Sequence, residues 1–154
     1  MKIGFTGTQK GLTIVQRSNL LKYLAECTEL HNGFCIGADE ECLMMFDLMA
    51  NTLPTSRTII GHPPIKTNKM SKFRPEFCRF EFRQAEEYLI RNHHIVDACE
   101  KLIAAPELMS ESLRSGTWAT VRYARFKKRP IVILWPDGSI KAEWHQASDY
   151  MTTP

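Results

Sequence analysis

The chain has 154 residues, 44% apolar and 24% charged, and carries a formal net charge of +3. That length fits one domain, residues 1–154, with a core able to fold alone. No apolar run approaches the roughly 20 residues that span a bilayer, so no membrane partner is expected. The small positive excess gives no ground for general nucleic-acid binding, while leaving room for a local basic site that takes a small anion.

The first apolar run, residues 2–6, reads as a strand and turns at Gly7-Thr8, too soon for a signal-peptide core, so a cytoplasmic protein is expected. Thr13 can cap a helix running to about Cys27, with Ile14, Leu20, Leu21 and Leu24 on its apolar side. Asn32-Gly33 reads as a turn and Phe34-Cys35-Ile36 as a second strand. Gly37-Ala38-Asp39 opens a second helix, which Pro54 closes. Arg57 to Gly61 is a third strand, and residues 65–80 form a long irregular segment. A helix from about Phe82 to Ala98 precedes a fourth strand, Leu102 to Ala105. Residues 107–115 are a loop, a helix spans Thr117 to Lys127, and Ile131 to Trp135 is a fifth strand. Pro136-Asp137-Gly138 signals a turn into a polar tail. The cysteines, Cys27, Cys35, Cys42, Cys78 and Cys99, are odd in number and lack a Cys-x-x-Cys. Reduced, buried thiols are therefore expected, with no metal and no cofactor.

Strands alternating with helices predict an α/β, three-layer Rossmann-like fold. Its sheet would be mostly parallel, with about five or more strands and helices on both faces. In such sheets ligands bind beyond the carboxyl ends of the strands. Gly7-Thr8-Gln9, Gly37-Ala38-Asp39, His62-Pro63, Pro106 and Ser115-Gly116-Thr117 would all meet at that edge. A strand, a Ser-Gly-Thr loop and a helix start make an anion site, because the first helical amides have no partner within the helix and the dipole is positive there. A nucleotide-type small molecule is the ligand class this predicts.

Other side chains carry two readings each. Asp39 can cap the second helix or contact ligand, and Glu40 and Glu41 can serve as favourable charge at the same helix start. Trp118 can stack on a base or pack into the core; Thr8 and Gln9 can donate to a ligand or merely turn the chain. His62 can act as a general base or be held structurally. His93-His94 has no third ligand at a sensible spacing for a metal. In segment 65–80, Lys66, Lys69, Lys72, Arg74 and Arg79 alternate with Phe73, Phe77 and Phe80. That mixture suits a core-plugging loop, a lid over a phosphorylated ligand, or a single-stranded nucleic-acid surface.

Five groups of residues together resemble the SLOG superfamily. They are Gly4-Phe5-Thr6-Gly7-Thr8, Gly37-Ala38-Asp39, Tyr88-Leu89-x-Arg91-Asn92, Leu102-Ile103-Ala104-Ala105-Pro106 and Arg114-Ser115-Gly116-Thr117-Trp118-x-Thr120. The superfamily includes the Lonely Guy phosphoribohydrolases and the Rossmann-like domain of DNA-processing protein A. The likeness covers about residues 2–138 and implies a nucleotide site and a homodimer or larger homo-oligomer. Lonely Guy enzymes use an arginine on the helix before the fourth strand and a Pro-Gly-Gly-x-Gly-Thr-x-x-Glu motif after it. Arg91, fifteen residues before Pro106, matches that arginine; with its planar fork it suits a phosphate, and Asn92 stands beside it. Gly116-Thr117 matches the Gly-Thr, but Thr120 replaces the glutamate and the loop from Glu107 to Arg114 replaces the Gly-Gly. Glycosidic hydrolysis needs a carboxylate. Asp39 is the first substitute to consider, followed by Glu107 and Glu111. The resemblance thus implies binding of a nucleotide or ADP-ribose-like signal at Arg91, Asn92, Pro106 and Ser115–Thr117. The alternatives are N-glycoside hydrolysis of nucleoside 5′-monophosphates with Arg91 and Asp39 as catalytic groups and, more remotely, DNA binding.

Overall fold

The computed structural model describes residues 1–53 and 55–144; Pro54, the expected end of the second helix, and the tail beyond residue 144 lie outside them. Along the chain run β1 (Lys2–Gly7), α1 (Ile14–Leu24), β2 (Glu29–Asn32), α2 (Ala38–Ala50), β3 (Thr58–Gly61) and β4 (Arg79–Phe82). They are followed by α3 (Tyr88–Ala98), β5 (Lys101–Ala105), α4 (Gly116–Phe126), β6 (Ile131–Leu134) and β7 (Ile140–Glu143). The strands form one sheet in the order β4-β3-β2-β1-β5-β6-β7. Every neighbouring pair is parallel except β6 with β7. This is the α/β, mostly parallel, Rossmann-like architecture that the alternation of elements predicts.

The central strands are buried on both faces, and their sequences say why. In β5 every residue is buried. Ile103 and Ala105 face the core under α1 and α2, where they join Phe5, Leu20, Leu30 and Phe46. Leu102 and Ala104 face the core under α3 and α4, with Ile95, Trp118 and Val121. Helices on both faces make such near-continuous apolar strands stable, and each buried Leu, Ile or Phe side chain contributes about 1.5–3 kcal/mol. At α1, Thr13 accepts from the Gln16 amide while the Gln16 side chain accepts from the Thr13 amide, a reciprocal pair that fixes the helix start.

Four boundaries differ from the sequence reading. The second strand is Glu29–Asn32, not Phe34-Cys35-Ile36. Its only aliphatic residue is Leu30; His31 and Asn32 are buried through polar partners instead. Phe34 turns the chain with a positive φ of 56° and sends its ring into the core against Phe80 and Phe82. The segment taken as irregular ends in a strand, β4, whose Phe80 and Phe82 face the core while Arg79 and Glu81 are exposed or half-exposed. Residues 83–87 are not helical and α3 begins at Tyr88, six residues later than Phe82. Finally, β7 lies in the tail read as merely polar and closes the far edge antiparallel to β6.

The segment before β4 is tied down rather than free. The Asp47 carboxylate accepts from the amides of Glu76, Phe77 and Cys78 at 2.8–2.9 Å. Ser71 donates to Glu40, and Phe73 packs on the core. Of the candidate phenylalanines only Phe77 is well exposed, at 42%.

Candidate functional site

The strand order reverses between β1 and β5, the topological switch point at which a doubly wound sheet opens a crevice beyond its carboxyl ends. A cleft of about 480 Å³ lies there. Thr6, Gly7, Thr8 and Gln9 at the end of β1 form one wall, and Ser115, Gly116 and Thr117 at the start of α4 form another. Asp39 from α2 and Arg91 and Asn92 from α3 line it as well. The Thr8 amide donates to the Ala105 carbonyl at 3.1 Å, which fixes the first wall against the end of β5.

At α4 the Ser115 side chain accepts from the Trp118 amide at 3.4 Å and caps the helix. The amides of Gly116 and Thr117 are the first two of the helix and have no acceptor within it. Around Gly116, apart from its chain neighbours and the helix's own backbone, no heavy atom lies within 4 Å of the place a Cβ would take. The helix start therefore combines orphan donors, the positive dipole end and free space, the combination that receives an anion. Arg114, exposed and at the same rim, adds a cation that sequence reasoning left out of the site.

Arg91 is 6% exposed. Its Nη1 donates to the Gly33 carbonyl at 2.6 Å and to the His62 carbonyl at 3.2 Å, and both Nη atoms lie 3.8–3.9 Å from the Cys35 sulfur. The Tyr88 ring sits 5.2 Å from the guanidinium carbon. Arg91 Nε has no partner among the described residues. A buried donor left unpaired costs about 1–3 kcal/mol, which a partner for this atom would recover.

Asp39, 7% exposed, accepts from the Cys35 amide at 3.2 Å and from the Gly33 amide. Burial raises its pKa to about 6; the Arg91 charge and the two amide bonds oppose that rise. The helix cap itself is Gly37, at φ 87°, so Asp39 braces the turn before α2 rather than capping the helix. Gly37 has no room for a side chain, since a Cβ would meet the Gln9 carbonyl oxygen at 2.3 Å.

Several expected site residues stand behind the wall instead of in it. Ala38 is one, and it presses on Gly7 of the wall itself: a Cβ on Gly7 would come within 2.6 Å of Ala38. Pro106 is buried, and its carbonyl accepts from Gln16 Nε2 at 2.9 Å. Trp118 is 2% exposed and packs near Trp135, so it is a core residue and not a stacking platform. Thr120 is fully buried, with its hydroxyl donating to the Gly116 carbonyl at 2.9 Å.

Sequence reasoning passed over Gly33, Cys35 and Tyr88, all of which line the cleft. Cys35 sits in a tract read as a strand, but it makes only an isolated bridge to Met70, just before the turn into α2. Lys10 pairs with Glu107 at 2.9 Å across the rim, and Lys69 donates to Gln9 Oε1 at 2.8 Å. His62 is held by His31 at 2.8 Å, and His93 stacks on Tyr123. Among the described residues no cluster of three or more His, Cys, Asp or Glu is arranged to hold a metal ion, and no helix is long and apolar enough to cross a membrane.

No protein-family model matches the sequence, and no curated protein matches it. Among the solved structures that share its fold are two. One is the molybdenum cofactor binding protein from the phototrophic bacterium Rippkaea orientalis, 18% identical, with a TM-score of 0.60 over 87% of this chain and 76% of that one. The other is the protein TM1055, 12% identical, with a TM-score of 0.52 over 84% of this chain and 71% of that one.

Proposed function

We propose that this chain is a SLOG-type protein that binds a nucleotide or nucleotide-derived, ADP-ribose-like molecule in the cleft at the β1/β5 switch point. Its phosphate sits on the amides of Gly116 and Thr117, with Arg114 and Arg91 Nε supplying positive charge. The single observation that carries the reading is the meeting in one cleft of an open helix start and the buried Arg91, whose Nε has no partner among the described residues. The cofactor-binding function of the protein from Rippkaea orientalis is in keeping with ligand binding on this fold. The role is to hold the ligand, as a sensor or store of a signal molecule, because Thr120 occupies the place of the Lonely Guy glutamate and the Asp39 carboxylate is engaged by two amides.

A second reading, N-glycoside hydrolysis of a nucleoside 5′-monophosphate, is favoured by one observation: Asp39 lines the cleft with a pKa of about 6, suited to proton transfer near neutrality. A panel of nucleotides separates the two. Binding without turnover gives a thermal shift, about 2.7 kcal/mol of stabilisation at 100 times the dissociation constant, and no free base by chromatography. Free base, lost in Asp39→Asn, establishes the hydrolase. No shift and no base with any nucleotide overturns both.

A further inference from the structure

A second cavity of about 440 Å³ lies between α3 and the segment that follows β4. Its wall includes His62, Arg83, Gln84, Glu86, His94 and Asp97. His62 is 3% exposed, and its Nδ1 is buried with no partner among the described residues.

The protonation of that nitrogen follows from its neighbours. Glu29 Oε1 lies 2.6 Å from His31 Nε2, and His31 Nδ1 lies 2.8 Å from His62 Nε2. A carboxylate only accepts, so His31 Nε2 carries the hydrogen. Burial disfavours the charged form of both rings and lowers their pKa values, Glu29 opposing this at His31. A neutral His31 then has a bare Nδ1, which must accept from His62 Nε2–H. His62 Nδ1 is left with a lone pair and no donor. An acceptor buried without a donor costs stability, and a ligand that supplies one recovers it.

We propose that this cavity is a ligand site for a neutral polyhydroxylated molecule of the sugar class, with a hydroxyl donating to His62 Nδ1. Each hydroxyl both donates and accepts, and the wall offers both kinds of partner. Arg83 and Gln84 donate, while Glu86, Asp97 and Gln84 accept. Arg83 and Arg91 act on His62 as positive neighbours, which disfavours a cationic ligand at that nitrogen. Arg83 is already bridged to Glu81, and Glu86 and Asp97 lie in the same wall, which disfavours an anion.

The test uses the full chain labelled with ¹⁵N-histidine and titrated separately with D-ribose, inorganic phosphate and 1,4-diaminobutane. The expected result is a bare Nδ1 on His62 in the free protein and a saturable change in its ring resonances with ribose alone. Gln84→Ala should weaken that response about fivefold or more, by loss of a hydrogen-bonding partner. His62→Phe should abolish the saturable ribose response, read on the His94 resonances. Gly116→Asp, which blocks the phosphate end of the cleft, should leave the response intact. A protonated Nδ1, a response to phosphate or diamine instead, no response to ribose, or a ribose response lost in Gly116→Asp would each overturn the assignment. Because Gln84 and Glu86 lie outside the first cleft, failure here leaves nucleotide binding untouched.

Discussion

Arg91 and Gly33 occupy space that a single side chain would destroy. A Cβ on Gly33 would lie 2.1 Å from Arg91 Nη1, while the Gly33 carbonyl accepts from that same nitrogen at 2.6 Å. Gly33→Ala must therefore displace the guanidinium. Its nucleotide affinity should fall about 10–100-fold, the value of a charge-assisted hydrogen bond of about 1.5–3 kcal/mol. Calorimetric titration measures it; an unchanged affinity would remove Arg91 from the binding reading.

Gly116 tests the other pole of the cleft. Aspartate there meets open space and places a carboxylate in the first turn of α4, which helix electrostatics favours by about 0.3–1 kcal/mol. Gly116→Asp should fold at least as stably as the parent by urea denaturation yet lose nucleotide binding by repulsion of the phosphate. A variant that still binds would put the phosphate elsewhere.

Stability should depend on acidity through three buried groups. Burial, aided by neighbouring positive charge, holds His62 at about 3 against an ordinary 6.5, and burial lowers His31 as well. The unfolded chain binds those protons first, so this contribution is whole above pH 6.5 and shrinks as pH falls towards 3. Asp39 has the opposite sign. Its folded value of about 6 exceeds the ordinary 3.8, so its contribution is whole below pH 3.8 and is lost as pH rises through 6. Between pH 6.5 and 4.5, Asp39→Asn removes an opposing gain of about 2 kcal/mol and should lose stability more steeply than the parent. His62→Gln should lose it less steeply. Urea midpoints at the two pH values check both; parallel behaviour of all three proteins would contradict the assignment.

Trp118 separates core from site. Buried against Trp135 and α4 neighbours, its truncation to alanine should cost about 3–5 kcal/mol. Trp118→Phe should keep nucleotide affinity within about twofold at much smaller cost, because it leaves the cleft wall in place. Affinity lost in the phenylalanine variant, with folding intact, would return the indole to the ligand.

The residues that line the cleft were largely legible because the Rossmann-like rule ties function to the carboxyl ends of strands, and Gly7, Asp39, Arg91 and Gly116 sit at or over such ends. What sequence periodicity hid has a common physical cause. It counts apolar side chains, so β2, built of Glu29, His31 and Asn32 around Leu30, gave way to the oilier but turned Phe34-Cys35-Ile36. The alternation Arg79-Phe80-Glu81-Phe82 did carry a signal for β4, masked by the basic residues around it. The bridge from Arg91 to the Gly33 and His62 carbonyls could not be read at all. It joins residues 58 and 29 positions apart through main-chain atoms, which leave no mark on side-chain pattern.

Burial raises the pKa of every one of the five thiols, Cys27 and Cys78 to about 12 and Cys99 to about 11. Alkylating reagents attack the thiolate, so in the folded chain these sulfurs are almost silent. Each reacts only when its neighbourhood opens. Iodoacetamide with mass spectrometry therefore turns the five sulfurs into local clocks: Cys35 times the loosening of the cleft turn, Cys78 that of the β4 edge, and Cys42 that of the packing beneath α2.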